Sequence, residues 1–168
     1  SADGRQIALS MTTFIRVYDV TNPNIPVLTH ELDRRGMDIG AVIFSPDGRY
    51  LYAAVNQLDG VEAYAIVTWD LLEDTMISPI PIPHVRPITS MDVSADNNRI
   101  ITASADHSII LYDLQANTIL RRMLGHRGSV NRVYFGEDDD VALSASDDST
   151  LILWDLETGQ LIRQYTVG

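Results

Sequence analysis

The segment from Gly125 to Asp155 has a second copy 42 residues earlier in the chain. Gly125-His126 falls on Pro83-His84. Ser144-Ala145-Ser146-Asp147-Asp148 falls on Thr102-Ala103-Ser104-Ala105-Asp106, and Leu153-Trp154-Asp155 falls on Leu111-Tyr112-Asp113. The apolar register agrees as well, with Ile88, Met91 and Val93 falling on Val130, Val133 and Phe135. A unit this short cannot bury its own hydrophobic face, so neighbouring units must stack to make a core. A period of about 40–45 residues suits a unit of four short strands.

The same punctuation marks the rest of the chain. An aromatic residue followed by Asp occurs at Tyr18-Asp19, Trp69-Asp70, Tyr112-Asp113 and Trp154-Asp155, each time after an apolar run rich in Ile, Val or Leu that reads as a strand. Four repeats follow, spanning about 1–32, 33–83, 84–124 and 125–168. Expected strands in the first are Gln6–Ser10, Phe14–Asp19 and Val27–Leu32. In the second they are Gly40–Phe44, Tyr50–Val55, Ala63–Asp70 and Ile77–Ile82, with Asn56 to Glu62 as a longer connection. The third offers Ile88–Val93, Arg99–Ala103, Ile109–Tyr112 and Ile119–Met123. The fourth offers Val130–Phe135, Val141–Ser144, Leu151–Trp154 and Leu161–Thr166. Alternating proline in Ser78-Pro79-Ile80-Pro81-Ile82-Pro83 cannot donate to a ladder, so that strand belongs at a sheet edge.

Taken together, these motifs resemble the WD-repeat β-propeller family, strongly in the last two repeats and in degenerate form in the first two. The resemblance implies an all-β fold, a partial ring of three four-stranded blades plus a three-stranded remnant. Ser1 aligns with Ser45 and Ser94, just past a first strand, so the chain is expected to begin inside a blade. The missing blades are then expected from further sequence of the same chain or from a second copy. The family also implies a hydrogen-bonded tetrad in each blade. Carried over by position, it is His126, Ser146, Asp148 and Trp154 in the fourth repeat, and His84, Ser104, Asp106 and Tyr112 in the third, where phenol replaces indole. The second repeat keeps Trp69 but has Arg35 near the His position. The first keeps Ser10 and Tyr18 but has Thr12 where the Asp should fall, so these two blades are expected to be held by packing alone.

Composition narrows the function. Against 12 Lys and Arg stand 23 Asp and Glu, a net charge of −11, which argues against a nucleic-acid footprint. There is no cysteine, hence neither a disulfide framework nor a thiolate metal site, and a cytoplasmic location is expected. No run approaches the length of a membrane-spanning helix. Asp138-Asp139-Asp140 lacks the alternating spacing of a calcium loop and reads as a solvated turn. His30, His84, His107 and His126 show no paired metal spacing, and no glycine loop suited to phosphate is present, so no metal and no cofactor are expected. A His–Asp–Ser set invites a catalytic reading. Its recurrence one period away points instead to a structural network, and no enzyme activity is expected.

What remains is surface. Hairpin geometry sends the segments before the first strands, and the turns between second and third strands, to one end of the blades. That end carries Arg34, Arg35, Arg86, Arg127, His107 and Asp147, with Arg132 on a first strand nearby. Arg is favoured at interaction hot spots. Arg34, Arg35, Arg86, His107, Arg127 and Arg132 are therefore candidates for binding a protein or peptide, and a non-catalytic interaction scaffold is the leading expectation. The competing readings are a regulatory module fused to a signalling enzyme, and a small-ligand site in a central channel. The latter needs polar side chains converging from several first strands, where only Asp92, Asn131 and Arg132 interrupt mostly Val, Ile, Met and Phe.

Overall fold

The computed structural model describes residues 1–11, 13–34, 36–58 and 61–167, and of Ser78 the backbone alone. Among the described residues every regular element is a strand. The chain divides into two compact units, Ser1–Pro81 and Ile82–Gly168. Each unit holds two antiparallel meanders: a three-stranded and a four-stranded sheet in the first, two four-stranded sheets in the second. These are the sheet sizes the resemblance implies.

In the first unit, β1 (Gln6–Ser10), β2 (Phe14–Asp19) and β3 (Val27–Asp33) pair in sequence order. So do β4 (Met37–Phe44), β5 (Tyr50–Leu58), β6 (Val61–Asp70) and β7 (Thr75–Pro81). The proline-bearing β7 lies at the edge of its sheet, as its missing N–H groups require. Of the expected Asn56–Glu62 connection, Asn56–Leu58 belong to β5 and Val61 and Glu62 to β6, while Asp59 and Gly60 lie outside the described residues. β5 and β6 continue pairing past a bulge, with Gln57 opposite Glu62 and Leu58 opposite Val61. Side chains alternate between faces along a strand. One face of each sheet therefore supplies the shared core of Ile15, Val17, Leu32, Leu51, Ala53, Val55, Val67, Trp69 and Leu71.

One turn is built three times from the same parts. Ser1, Ser45 and Ser94 each donate a hydroxyl to the Asp two residues on, at 2.7, 2.5 and 2.6 Å. Each Asp in turn accepts the N–H two residues further, at 3.0 Å in all three. The residue between them has φ of 70° at Gly4, 74° at Gly48 and 59° at Asn97, the left-handed region that glycine and asparagine enter most readily.

In the second unit, β8 (Ile88–Val93), β9 (Arg99–Ser104), β10 (Ser108–Asp113) and β11 (Thr118–Leu124) form one sheet. β12 (Val130–Phe135), β13 (Val141–Ser146), β14 (Thr150–Asp155) and β15 (Leu161–Thr166) form the other. Ile101, Ala103, Ile109 and Leu111 of the former pack on Ala142, Ile152 and Trp154 of the latter. Each large apolar side chain buried this way contributes about 1.5–3 kcal/mol.

A polar seam runs alongside that core. β12 is the first strand of its sheet and has one backbone edge with no strand partner, which would leave N–H and C=O groups unsatisfied. Side chains of β8 serve them. Thr89 donates its hydroxyl to the Val130 carbonyl. Ser90 Oγ accepts the Val133 N–H at 3.4 Å, and Asp92 Oδ2 accepts the Phe135 N–H at 2.8 Å. In the reverse sense, Asp139 of the β12–β13 turn accepts the Ala95 N–H at 2.7 Å.

Asp92 is the charged member of this seam. Burial raises its pKa, against the hydrogen bonds from Phe135 and Val93 that lower it, and nearby Asp139 adds to the rise. The folded chain thus holds this proton more tightly than the unfolded chain. The penalty of ionisation is absent below the ordinary carboxylate pKa of about 4. It grows as pH rises through the raised value and is complete above it. Asp92→Asn keeps an oxygen for the Phe135 N–H, gives up the Val93 N–H bond to the other oxygen and removes the charge. Its melting temperature relative to the unsubstituted chain is expected to be higher at neutral pH than in acid. Thermal melts across pH read this directly, and a difference that does not change with pH would contradict it.

Candidate functional site

A buried polar cluster begins where the chain enters the fourth sheet. Gly125 comes so close to the indole that a Cβ there would stand 2.9 Å from Trp154 Cη2. That approach lets the next residue, His126, turn inward until it is 7% exposed. His126 Nδ1 lies 3.0 Å from Asp148 Oδ2 and Nε2 lies 2.7 Å from Ser144 Oγ. Trp154 Nε1–H donates to the same hydroxyl at 2.8 Å. The ionised Asp148 carboxylate can only accept, which places an imidazole proton on Nδ1, and in the neutral ring Nε2 then accepts the Ser144 hydroxyl. Asp148 lies in the β13–β14 turn and also accepts N–H groups from Arg127 at 2.7 Å and Thr150 at 2.9 Å, and the Thr150 hydroxyl at 2.6 Å. Burial alone would raise its pKa. The bonds from Thr150, Arg127 and His126 outweigh that and hold it well below the usual carboxylate range.

The third sheet repeats the plan. His84 Nδ1 meets Asp106 Oδ2 and Nε2 meets Thr102 Oγ1, both at 3.0 Å. Asp106 accepts the Val85 N–H at 3.0 Å and the Ser108 hydroxyl at 2.5 Å, and Arg122 approaches it at 3.6 Å. Burial pushes the Asp106 carboxyl up, but the bonds from Ser108 and Val85, with the nearby His84, hold it at about 2. His84 is lowered, chiefly by burial and despite Asp106, so the imidazole is neutral.

Two assignments made from sequence are corrected here. The hydroxyl of the network belongs to Ser144, not Ser146, and to Thr102, not Ser104. Strand register is the reason. Trp154 lies opposite Ala142, which puts Ser144 on the adjacent diagonal of the same face. Ser146 lies two residues further along, about 7 Å beyond. Ser146 and Ser104 instead accept the N–H of Asp148 at 3.2 Å and of Asp106 at 3.0 Å, shaping the turns. Tyr112 also stands outside the network, because its hydroxyl donates to Asn117 Oδ1 at 2.6 Å. The third sheet thus has no counterpart of the indole bond.

An Asp–His–Ser chain has the connectivity of a hydrolytic triad, but Ser144 is 1% exposed and already holds the indole N–H. A nucleophile must meet its substrate, and this hydroxyl is enclosed.

Among the described residues the first unit shows no such network. Ala53 stands two residues along from Leu51, which lies opposite Trp69. In the first sheet Ile7 lies opposite Tyr18 and Leu9 takes the equivalent place, so Ser10 is on the other face. Packing is nevertheless not the whole of what holds this unit. Arg34 donates to Ser10 Oγ at 2.6 Å and to the Met37 carbonyl at 2.9 Å, and His30 Nε2 donates to the Leu71 carbonyl at 2.8 Å. Arg34, a candidate contact residue by sequence, is therefore engaged inside its own unit. Thr12 and Arg35 lie outside the described residues.

In the second unit, Arg86, His107, Arg127 and Arg132 are all exposed. The first three sit at the end where the segments entering β8 and β12 meet the β9–β10 and β13–β14 turns. Those segments are tied down by Ser104 Oγ donating to the Arg86 carbonyl at 2.9 Å, Ala105 N–H to Pro87 O at 3.0 Å, and Asp147 N–H to Ser129 O at 2.9 Å. Among the described residues, no carboxylate pairs with the guanidinium of Arg86, Arg127 or Arg132.

Comparison with known proteins agrees with this architecture. Residues 79–113 and 117–155 match the family described as WD domain, G-beta repeat. Each match starts on the outer strand of one sheet and runs through the first three strands of the next. The chain is 28% identical over 145 residues to WD repeat-containing protein VIP3 of Arabidopsis thaliana, covering 77% of this chain and 42% of that protein. It is 34% identical over 103 residues to the LEC14B homolog of Prunus armeniaca, covering 56% of this chain and 22% of that protein. The chain thus spans less than half the length of these relatives.

Ser144→Ala strands both the His126 and Trp154 groups and is expected to destabilise the chain by about 1–3 kcal/mol. Ser146→Ala removes only a turn bond and should cost less. Urea unfolding of the two variants decides between them, and a larger loss at Ser146 would restore the sequence-based assignment.

Proposed function

We propose that this WD-repeat chain is a non-catalytic scaffold, and that its second unit binds an acidic or carboxylate-bearing segment of a partner protein at the end carrying Arg86, His107 and Arg127, with Arg132 beside it. WD-repeat proteins generally mediate protein–protein interactions, which supplies the class of function. Fold alone does not select a surface. The observation that carries the choice is the division of labour in this unit. Asp106 and Asp148 are committed to the imidazoles and turn N–H groups beneath this end. The guanidinium groups above them are exposed, in a chain of net charge −11.

Backbone N–H groups of Val85 and Arg127 bond to Asp106 and Asp148. These bonds fix the two entering segments, so Arg86 and Arg127 project from rigid supports, which reduces the ordering cost of binding.

Arg127→Glu is expected to weaken binding of an Asp/Glu-rich peptide by about two- to fivefold and to flatten its salt dependence. The melting temperature should hold, since the Arg127 contact to Asp148 is made by its backbone. Titration at two salt concentrations, with hydrogen exchange to map the footprint, tests this. A footprint at the opposite end, on the β8–β9 and β10–β11 turns, would overturn it.

A further inference from the structure

Both sheets of the second unit build one corner from the same pieces: the residue after the network histidine, the turn that carries the network aspartate, and the end of the outer strand. In the fourth sheet these are Arg127, whose N–H goes to Asp148, and Thr166, which lies opposite Thr150 just past that turn. In the third sheet they are Val85, whose N–H goes to Asp106 at 3.0 Å, and Leu124, which lies opposite Ser108. The two corners share a backbone plan and differ in chemistry. One is basic and polar, the other apolar.

Val85 is 72% exposed and Leu124 69%, more than any other large apolar side chain among the described residues of this unit. A single exposed valine or leucine is ordinary on a protein surface. Here the two most exposed of the unit flank one turn, which is not a scattered arrangement. Local structure holds both outward. His84 takes the inward place before Val85, and the Val85 backbone is tied to Asp106. In β11, Met123 faces the core at 1% exposure, and alternation puts Leu124 on the opposite face.

Val85 directly precedes Arg86, and the third and fourth sheets pack on one another, so both corners belong to the same end of one unit. Asp147, the exposed carboxylate at the basic corner, already accepts from the Asn131 amide. A wholly acidic segment bound here would answer the arginines and leave Val85 and Leu124 in water. A wholly apolar one would leave the guanidinium groups unanswered. A segment that carries an apolar residue among acidic ones answers both.

We propose that the partner segment received at this end holds an apolar side chain of about leucine size between its acidic residues. The acidic groups meet Arg127 and Arg86, and the apolar group lies over Val85 and Leu124. This inference rests on the arginine-bearing end being the binding site, and it supplies the apolar half of what that site selects.

The probes are two acetylated peptide amides of equal charge, Asp-Glu-Leu-Glu-Asp and Asp-Glu-Ser-Glu-Asp, titrated into the chain by calorimetry. The leucine peptide should bind about three- to tenfold more tightly than the serine peptide. Arg127→Glu should weaken both. Val85→Ser and Leu124→Ser should each bring the ratio of the two affinities toward one, and both variants are expected to fold because the replaced side chains are exposed. Equal affinity of the two peptides, with Arg127→Glu still weakening both, would overturn this inference and leave the arginine site standing. A ratio that survives both serine substitutions would also overturn it, by placing the apolar contact elsewhere. Binding of neither peptide would overturn the arginine site and this inference together.

Discussion

The second unit depends on the Ser144 hydroxyl shared by an imidazole and an indole. A hydroxyl can accept one bond while donating another, and here it does both between His126 and Trp154. At the other ring nitrogen, Nδ1 donates to Asp148, which can only accept. Asp148 then gathers the N–H groups of Arg127 and Thr150. One buried atom thus connects the third strand of the sheet, the turn before it and the segment entering the first strand. Left half-made, such a network would be costly, because each buried partner loses water without replacement. The third sheet makes the same connection through Thr102, minus the indole. Placement of the exposed arginines follows from this, since their backbones are anchored from beneath.

The first unit reaches a similar end by other means. Its sheets share an apolar face, and the polar ties are an arginine side chain from the connection after β3 and a histidine of β3 reaching the carbonyl after β6. At the place equivalent to Ser144 the second sheet has Ala53, so the Trp69 indole has no counterpart of the Trp154 bond.

The strands and their sheet membership were legible because period-two alternation, aromatic–Asp closures and turn residues all agree. Ser1, Ser45 and Ser94 align in sequence, and each begins the same hydrogen-bonded turn. Alternating proline correctly marked β7 as an edge strand. The network hydroxyl was misread by two residues because motif alignment anchors on the turn, whereas indole reach is set by pairing register within the sheet. Counting back from Trp154 to the residue opposite it, and then two along, finds Ser144. Asn56 to Glu62 looks like a loop because polar residues interrupt it, but Val61 opposite Leu58 continues the ladder. The seam of Thr89, Ser90 and Asp92 leaves no signal in spacing. Its partners are backbone groups of another sheet, 41 to 43 residues away.

Native-state hydrogen exchange at the Trp154 indole tests most directly whether the network holds the second unit together. If it does, this N–H exchanges only when the unit opens as a whole, with the same opening free energy as the slowest backbone amides of β13 and β14. Exchange at a much lower free energy, comparable to that of the exposed edge strand β15, would show that the hydroxyl–indole bond breaks while the sheets stay packed. The network would then be a passenger of the apolar core and not what joins the unit.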